Sequence, residues 1–254
     1  MYHFFVEENA IAEGFVHITG DDVNHIRNVL RMTPGEQVII SRKNAVEDVD
    51  YYCVLTQITE REVTARIDWT EKARELNNKI YLFQGLPKGD KMELIIQKSV
   101  ELGVYEIIPV ATNRSVVKLD AKKETGKLKR WQAISESAAK QSKRSIIPEI
   151  KPVMTVREAF LYAKETDVKL LPYENEEGIA KTRSVIEAIR PGENIAVFIG
   201  PEGGFSPEEV EAARNAGFCT VTLGKRILRT ETAGLMMLSV LAYTLEDCED
   251  GQEA

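Results

Sequence analysis

Cysteine is scarce in this sequence: Cys53, Cys219 and Cys248 stand alone, in no spacing that ligates a metal or builds a disulfide framework. Their isolation and odd number predict a reducing, cytoplasmic setting. Histidine is equally rare. His3, His17 and His25 all lie near the N-terminus without a paired Cys or Glu motif, so no metal site is expected. No apolar run approaches the roughly 20 residues that span a bilayer. The opening Met1-Tyr2-His3-Phe4-Phe5-Val6 lacks the basic region and long apolar core of a signal peptide. The common nucleotide motifs are missing as well. Gly85-Leu86-Pro87-Lys88-Gly89-Asp90-Lys91 has Asp90 where a P-loop needs glycine. No Gly-x-Gly-x-x-Gly follows the first strand of the α/β part, and there is no Gly-x-Ser-x-Gly elbow. What is present is an ordinary globular composition, 43% hydrophobic and 29% charged over 254 residues, enough to bury a core in one large domain or two modest ones.

The net charge of −7 argues against a nucleic-acid partner, but its distribution argues for one. From Lys79 to Lys151 there are 15 Lys and Arg against 8 Asp and Glu, leaving the rest of the chain at −14. A basic stretch on an acidic protein is the electrostatic footprint of a phosphate-binding surface. A lysine-rich solvated helix face gives the same count, so charge alone leaves both readings open.

Two patterns divide the chain. The first seventy residues read as short β segments: Tyr2 to Val6, Gly14 to Ile18, Gln37 to Ser41, Tyr51 to Ile58 and Glu62 to Trp69, separated by turn clusters such as Thr33-Pro34-Gly35. Among them, Asp21 to Arg31 predicts one helix, with a capping carboxylate and Val23, Ile26, Val29 and Leu30 at helical spacing. Several short strands in so few residues predict a small barrel. The polar stretch Thr70 to Lys79 reads as a linker. Beyond it strands and helices alternate, the signature of a mainly parallel sheet covered by helices. Strands are expected at Ile80 to Gln84, Glu106 to Val110, Val168 to Tyr173, Ile195 to Gly200 and Cys219 to Leu223. Helices are expected over Lys91 to Leu102, Glu124 to Lys143, from the capping box Thr155-Val156-Arg157-Glu158, from Ser206 to Gly217, and over Thr232 to Glu246. The last is apolar on nearly every side, which predicts deep burial or packing against another subunit. An acidic, frayed tail is expected after Glu246.

The strongest local signal is a pair of loops. Ile199-Gly200-Pro201-Glu202-Gly203-Gly204-Phe205-Ser206-Pro207 follows one predicted strand, and Leu223-Gly224-Lys225-Arg226-Ile227-Leu228-Arg229-Thr230-Glu231-Thr232-Ala233 follows another. Loops at the carboxyl ends of strands are where an open α/β sheet holds a ligand. Glycine there lets backbone approach the ligand closely.

These loops, about twenty residues apart, resemble the signature of the small-subunit ribosomal RNA uracil N3-methyltransferase family, of the trefoil-knotted SPOUT class. The similarity extends to His25 with Val29-Leu30-Arg31, to Gly85 through Glu93, to Gln97-Lys98 with Glu101-Leu102-Gly103-Val104, and to Asn113-Arg114-Ser115. It includes Arg130-Trp131 through Ala138-Ala139 to Gln141-Ser142-Lys143-Arg144, so coverage is essentially complete. The resemblance implies a PUA-like, RNA-binding β-barrel over residues 1–72. It implies a knotted mainly parallel α/β methyltransferase domain over residues 73–254, which binds S-adenosyl-L-methionine and forms a homodimer.

The implied reaction carries a methyl group to N3 of one uridine, with the assembled small subunit as the expected substrate. The implied cofactor residues are Leu171, Ile199, Gly200, Gly203, Leu223, Gly224, Ile227 and Leu228. Arg229 is expected to orient uracil or stabilise its anion. Glu231 has two readings, acceptor of the N3 proton or a carboxylate favouring a helix N-terminus. Glu202 has two readings as well, pairing with Arg229 or another loop cation, or touching substrate. RNA contacts are expected from His25, Arg27, Arg31, Lys88, Lys91, Lys98, Arg114, Arg130, Lys143 and Arg144, whereas the lysines from Lys122 to Lys129 read as solvated surface. Trp131, beside Ile134 at helical spacing, reads as core rather than a base-stacking platform. The competing readings are a knotted methyltransferase acting on another RNA, and an RNA-binding assembly protein without catalysis.

Overall fold

The computed structural model describes residues 1–43, 49–117 and 120–246. The predicted acidic tail lies beyond Glu246, outside the described residues. The chain forms two compact units: Met1–Glu75 with Ala139–Ile147, and Leu76–Ala138 with Pro148–Ala254.

The first unit is a six-stranded, barrel-like sheet. Its elements are β1 (Tyr2–Val6), β2 (Ile11–Ala12), β3 (Phe15–Thr19), α1 (Asp21–Asn24), β4 (Gln37–Arg42), β5 (Val49–Ile58) and β6 (Glu62–Lys72). The strand order is β1-β4-β5-β6-β3-β2, antiparallel except for the parallel β1–β4 pair. Alternation does the sorting: Val16 and Ile18 of β3 point inward, while Phe15, His17 and Thr19 face out. They join Phe4, Val38, Ile40, Leu55 and Val63 in one core. β6 runs three residues past its predicted end at Trp69, whose ring stacks on Tyr52 at 4.8 Å between centroids.

The helix expected over Asp21 to Arg31 forms differently. One α turn gives way to a π-helical stretch at His25–Val29, and Gly20 stands at the N-cap without a side-chain cap. The wider turn, with Leu30 N–H donating to the His25 carbonyl, shifts the helical phase. Val23 and Ile26 therefore reach the core, but Val29 is left 60% exposed. Arg31 then closes the segment with φ +55°.

Residues 139–147 are held in this unit by buried polar ties. Arg144 pairs with Glu75, whose carboxylate also accepts the Ser145 N–H at 2.9 Å and the Ile146 N–H at 3.3 Å. The Ser145 hydroxyl donates to Asp50 at 2.8 Å. Lys140 pairs with Asp22 at 2.9 Å. Ser41 also donates to Asp50, and His3 Nε2 lies 2.7 Å from the Ser41 hydroxyl. Burial pushes the His3 imidazole from its usual 6.5 down to about 4, against the pull of Asp50. Between those values the unfolded chain binds a proton that the folded unit refuses. Stability therefore falls, by up to about 1.4 kcal/mol per pH unit, as pH drops through that window. In urea titrations His3→Gln should flatten this slope between pH 6.5 and 5; an unchanged slope would assign it to carboxylates.

The second unit contains β7 (Ile80–Gly85), α2 (Lys91–Glu101), β8 (Glu106–Ala111), most of α3 (Ala121–Ser142), β9 (Glu149–Ile150), β10 (Met154–Thr155) and α4 (Val156–Tyr162). It continues with β11 (Val168–Pro172), α5 (Ile179–Glu187), β12 (Ile195–Ile199), α6 (Pro207–Asn215), β13 (Cys219–Val221) and α7 (Thr230–Leu245). Every strand pairing is parallel, in the order β10-β8-β7-β12-β11-β13, with β9 on β8. Helices cover such a sheet on both faces, so its central strands are apolar throughout; all five residues of β12 are buried. Phe198 stacks on Phe83 at 5.4 Å and touches Phe205 and Phe218 at 5.6 Å.

Both predicted capping boxes form, Thr155 with Glu158 and Ser206 with Glu209. Trp131 is buried, as its spacing predicts. Helix α5 has no counterpart in the sequence reading; it is one short amphipathic stripe, with Thr182 and Ile186 buried. Helix α7 starts at Thr230, two residues early, and within the chain is enclosed only in part. Met237, Leu238 and Leu241 are buried, but Tyr243 is 89% exposed. Among the described residues no helix is long and apolar enough to cross a membrane.

Candidate functional site

Strand order sets the site. β12 and β13 flank β11, so the loops leaving β12 and β13 rise on either side of the β11 carboxyl end. There they enclose a cleft of about 380 Å³, lined by residues of both loops, by Pro172, Tyr173 and Glu174, and by Lys91 of α2. Of the eight residues expected to hold a cofactor, Ile199, Gly200, Leu223, Gly224, Ile227 and Leu228 line this cleft. Leu171 is wholly buried in β11 and does not. Gly203 turns away, its carbonyl accepting the Arg114 Nη1 hydrogen bond at 2.9 Å. Pro172 to Glu174, Thr222 and Thr230 were not assigned from sequence, although the strand predicted to end at Tyr173 pointed to the first of them.

Two close approaches fix the first loop. A Cβ on Gly85 would stand 2.6 Å from Pro201 Cδ, and one on Gly200 would stand 3.2 Å from the Gly204 backbone. Only a bare Cα allows β7 and the loop to meet this tightly. Buried Gln84 then ties the two loops together: its Nε2 donates to Thr230 Oγ1 at 2.8 Å, and Thr230 Oγ1 donates to the Gly200 carbonyl at 2.6 Å. Asn113 braces the far side, its N–H donating to Glu209 at 2.7 Å.

A second tie is ionic. Lys91 Nζ lies 2.8 Å from Glu202 and 3.4 Å from Glu231, and the Lys88 N–H donates to Glu202 at 3.1 Å. Glu202 thus takes a cation from α2 rather than Arg229 or another loop cation. Burial works to raise its pKa, but Lys91 and the Lys88 amide outweigh it and hold the carboxyl below the usual range. Lys91 is held above its own usual range, chiefly by its hydrogen bond to Glu202. Glu231 Oε2 is buried without a hydrogen bond, and Glu231 does not line the cleft. Arg229 does line it, exposed, with no side-chain partner among the described residues.

The ten residues expected at RNA separate by what they touch. Arg144 is buried with Glu75; Lys91 is taken by Glu202 and Glu231; Arg114 by the Gly203 carbonyl. Lys98, Arg130 and Arg27 pair with Glu101, Glu93 and Glu60. His25, Arg31, Lys88 and Lys143 are exposed, with no side-chain ion pair among the described residues. Arg31 and Lys143 share one more property, a left-handed backbone, with φ +55° and +58°. Among the described residues no three metal-ligating side chains converge.

Several known proteins that this chain resembles are named as methyltransferases. The model of an RNA methyltransferase domain matches residues 74–242, and that of an RNA methyltransferase PUA domain matches residues 18–68. Ribosomal RNA small subunit methyltransferase E of Bacillus subtilis is 40% identical over 233 residues, 90% of each chain. The crystal structure of the Neisseria gonorrhoeae protein of the same name, bound to S-adenosyl methionine, is 33% identical, with a TM-score of 0.81 over 96% of this chain and 97% of that one. A Legionella pneumophila methyltransferase structure with bound SAM is 31% identical, with a TM-score of 0.82 over 95% and 97%. On these matches the chain belongs to the ribosomal RNA small subunit methyltransferase E family, a methyltransferase domain joined to a PUA-type domain.

Proposed function

We propose that this protein transfers a methyl group from S-adenosyl-L-methionine to N3 of a uridine in small-subunit ribosomal RNA. The observation that carries this reading is the cleft closed by the two glycine-bearing loops, in a chain of this family. The cleft fits the cofactor: its volume suits a small ligand, its walls at Ile199, Leu223 and Leu228 are apolar, and Gly200 leaves backbone bare. When bound, the cofactor supplies an electrophilic methyl on a positively charged sulfur. The chain's own task is alignment, and holding reactants in line is worth about 7–11 kcal/mol in favourable cases. Arg229, exposed at the mouth, orients uracil and offsets the charge that develops as the N3 proton leaves. Glu231 acts through Lys91, not on the uridine, and the proton passes to water.

For RNA we assign Arg31 and Lys143 in the first unit and Lys88 in the second, with Arg144 and Arg114 as supports. Left-handed backbone at a non-glycine residue costs about 1–2 kcal/mol and tends to collect at functional sites. Removing a phosphate contact lowers the slope of log affinity against log salt by about 1. Lys143→Ala and Arg31→Ala should each do so, while Lys98→Ala, whose partner is Glu101, should not; filter binding from 50 to 200 mM salt measures it. A knotted second unit, a homodimer through the exposed side of α7 and α2, where Tyr243 and Leu94 stand out, and a cytoplasmic location complete the proposal.

The test is transfer of labelled methyl to small subunits lacking the modification, with the nucleoside identified by mass spectrometry. N3-methyluridine supports the reading. Label in another nucleoside, or none from folded protein, removes it.

A further inference from the structure

The cleft carries charges in two tiers. At its rim Lys225, Arg226 and Arg229 are exposed, accompanied by Glu174. Recessed behind them are Lys91 and Glu202 of the lining, 32% and 27% exposed, and Glu231, which reaches Lys91 from outside the lining and is 15% exposed. Two carboxylates share one ammonium there, so this trio carries one excess negative charge, set against the three cations of the rim. The compensation is also incomplete, because among the described residues Glu231 Oε2 is buried without a hydrogen bond and its one ionic partner, Lys91, stands off at 3.4 Å. Buried charge is tolerated when paired, and a shortfall of this kind marks a place for a cation.

We infer that Glu202 and Glu231 make the cleft prefer the sulfonium cofactor over its neutral-sulfur product, and that Lys91 limits this preference. The inference rests on the cofactor reading above. Methyl transfer removes the positive charge from sulfur, so substrate and product differ by one charge in nearly the same shape. Carboxylates that act on the sulfur discriminate between them by charge, whereas apolar walls cannot. Excess preference would slow nothing in binding, but a recess without Lys91 would hold the cation too well for efficient transfer. The ammonium sets the field between these extremes.

The experiment is calorimetric titration of the full chain with S-adenosylmethionine, S-adenosylhomocysteine and the amine analogue sinefungin, which keeps a cation where the methyl stood. The unaltered chain should bind the two cations more tightly than the neutral product. Glu231→Gln and Glu202→Gln should each shrink that ratio about tenfold, chiefly by weakening the cations, a difference of about 1.4 kcal/mol. Lys91→Met should enlarge the ratio, and Lys91→Arg should restore it. Equal weakening of charged and neutral ligands in all variants would mean that the three residues only brace the loops, and would overturn the inference. Tight binding of all three ligands with no preference also overturns it while leaving the cofactor reading intact. No binding of any of them by folded protein defeats the cofactor reading itself.

Discussion

Arg229→Ala is expected to lower methyl transfer by about 10²- to 10³-fold while changing cofactor affinity less than threefold, the usual loss when one preorganised charge-stabilising donor is removed. The split follows from where the side chain lies. Arg229 immediately precedes α7, and its carbonyl accepts the Ala233 N–H, so backbone order in the loop does not depend on the guanidinium. The loop is fixed by Thr230 and Gln84 instead. Among the described residues the guanidinium has no partner to lose, and it lines the cleft mouth, where the uridine must enter. Single-turnover rates at saturating cofactor, beside equilibrium binding of cofactor alone, separate the two effects. A rate within threefold of the parent would end its assignment to the uracil anion, and a parallel fall in cofactor affinity would make it a loop brace.

Arg144→Met is expected to cost about 3 kcal/mol of folding stability and to leave the salt dependence of RNA binding nearly unchanged. Breaking one half of a buried ion pair typically costs about 3–5 kcal/mol. The lower end applies because Glu75 keeps the Ser145 and Ile146 amides after the guanidinium is gone. Adding Glu75→Gln should recover much of the loss, since glutamine still accepts those amides but carries no stranded charge. Urea unfolding of the parent and the two variants measures both steps. A stable Arg144→Met protein with weakened RNA binding would return Arg144 to the RNA surface.

Local structure was highly legible from the sequence, because its causes are local. β-Branched and aromatic residues marked β3 to within one residue, and the capping boxes at Thr155 and Ser206 started α4 and α6 at the observed residues. The two cleft loops were found because glycine clusters after apolar strands have a mechanical meaning. Partnership was not legible. Lys91 and Lys143 look alike in sequence, yet one is held by two carboxylates while the other is exposed without an ion pair among the described residues, a difference made by Glu202 and Glu231 more than 100 residues away. The same applies to Lys140, whose partner Asp22 is 118 residues upstream. The π-helical stretch after α1 escaped for a different reason: α and π turns share nearly the same apolar spacing over one turn, and only the core selects between them.

The return of residues 139–147 to the first unit has a consequence for how the protein is made. Glu75 leaves the ribosome 69 residues before Arg144. At about 5–20 residues per second, that is a wait of several seconds. During it Asp50 lacks its Ser145 donor and Glu75 its guanidinium, so the first half of the chain cannot finish folding until the second is well under way. A gene fragment cut after residue 75 would stop at that unfinished stage permanently. A workable shortened version must graft 139–147 back on.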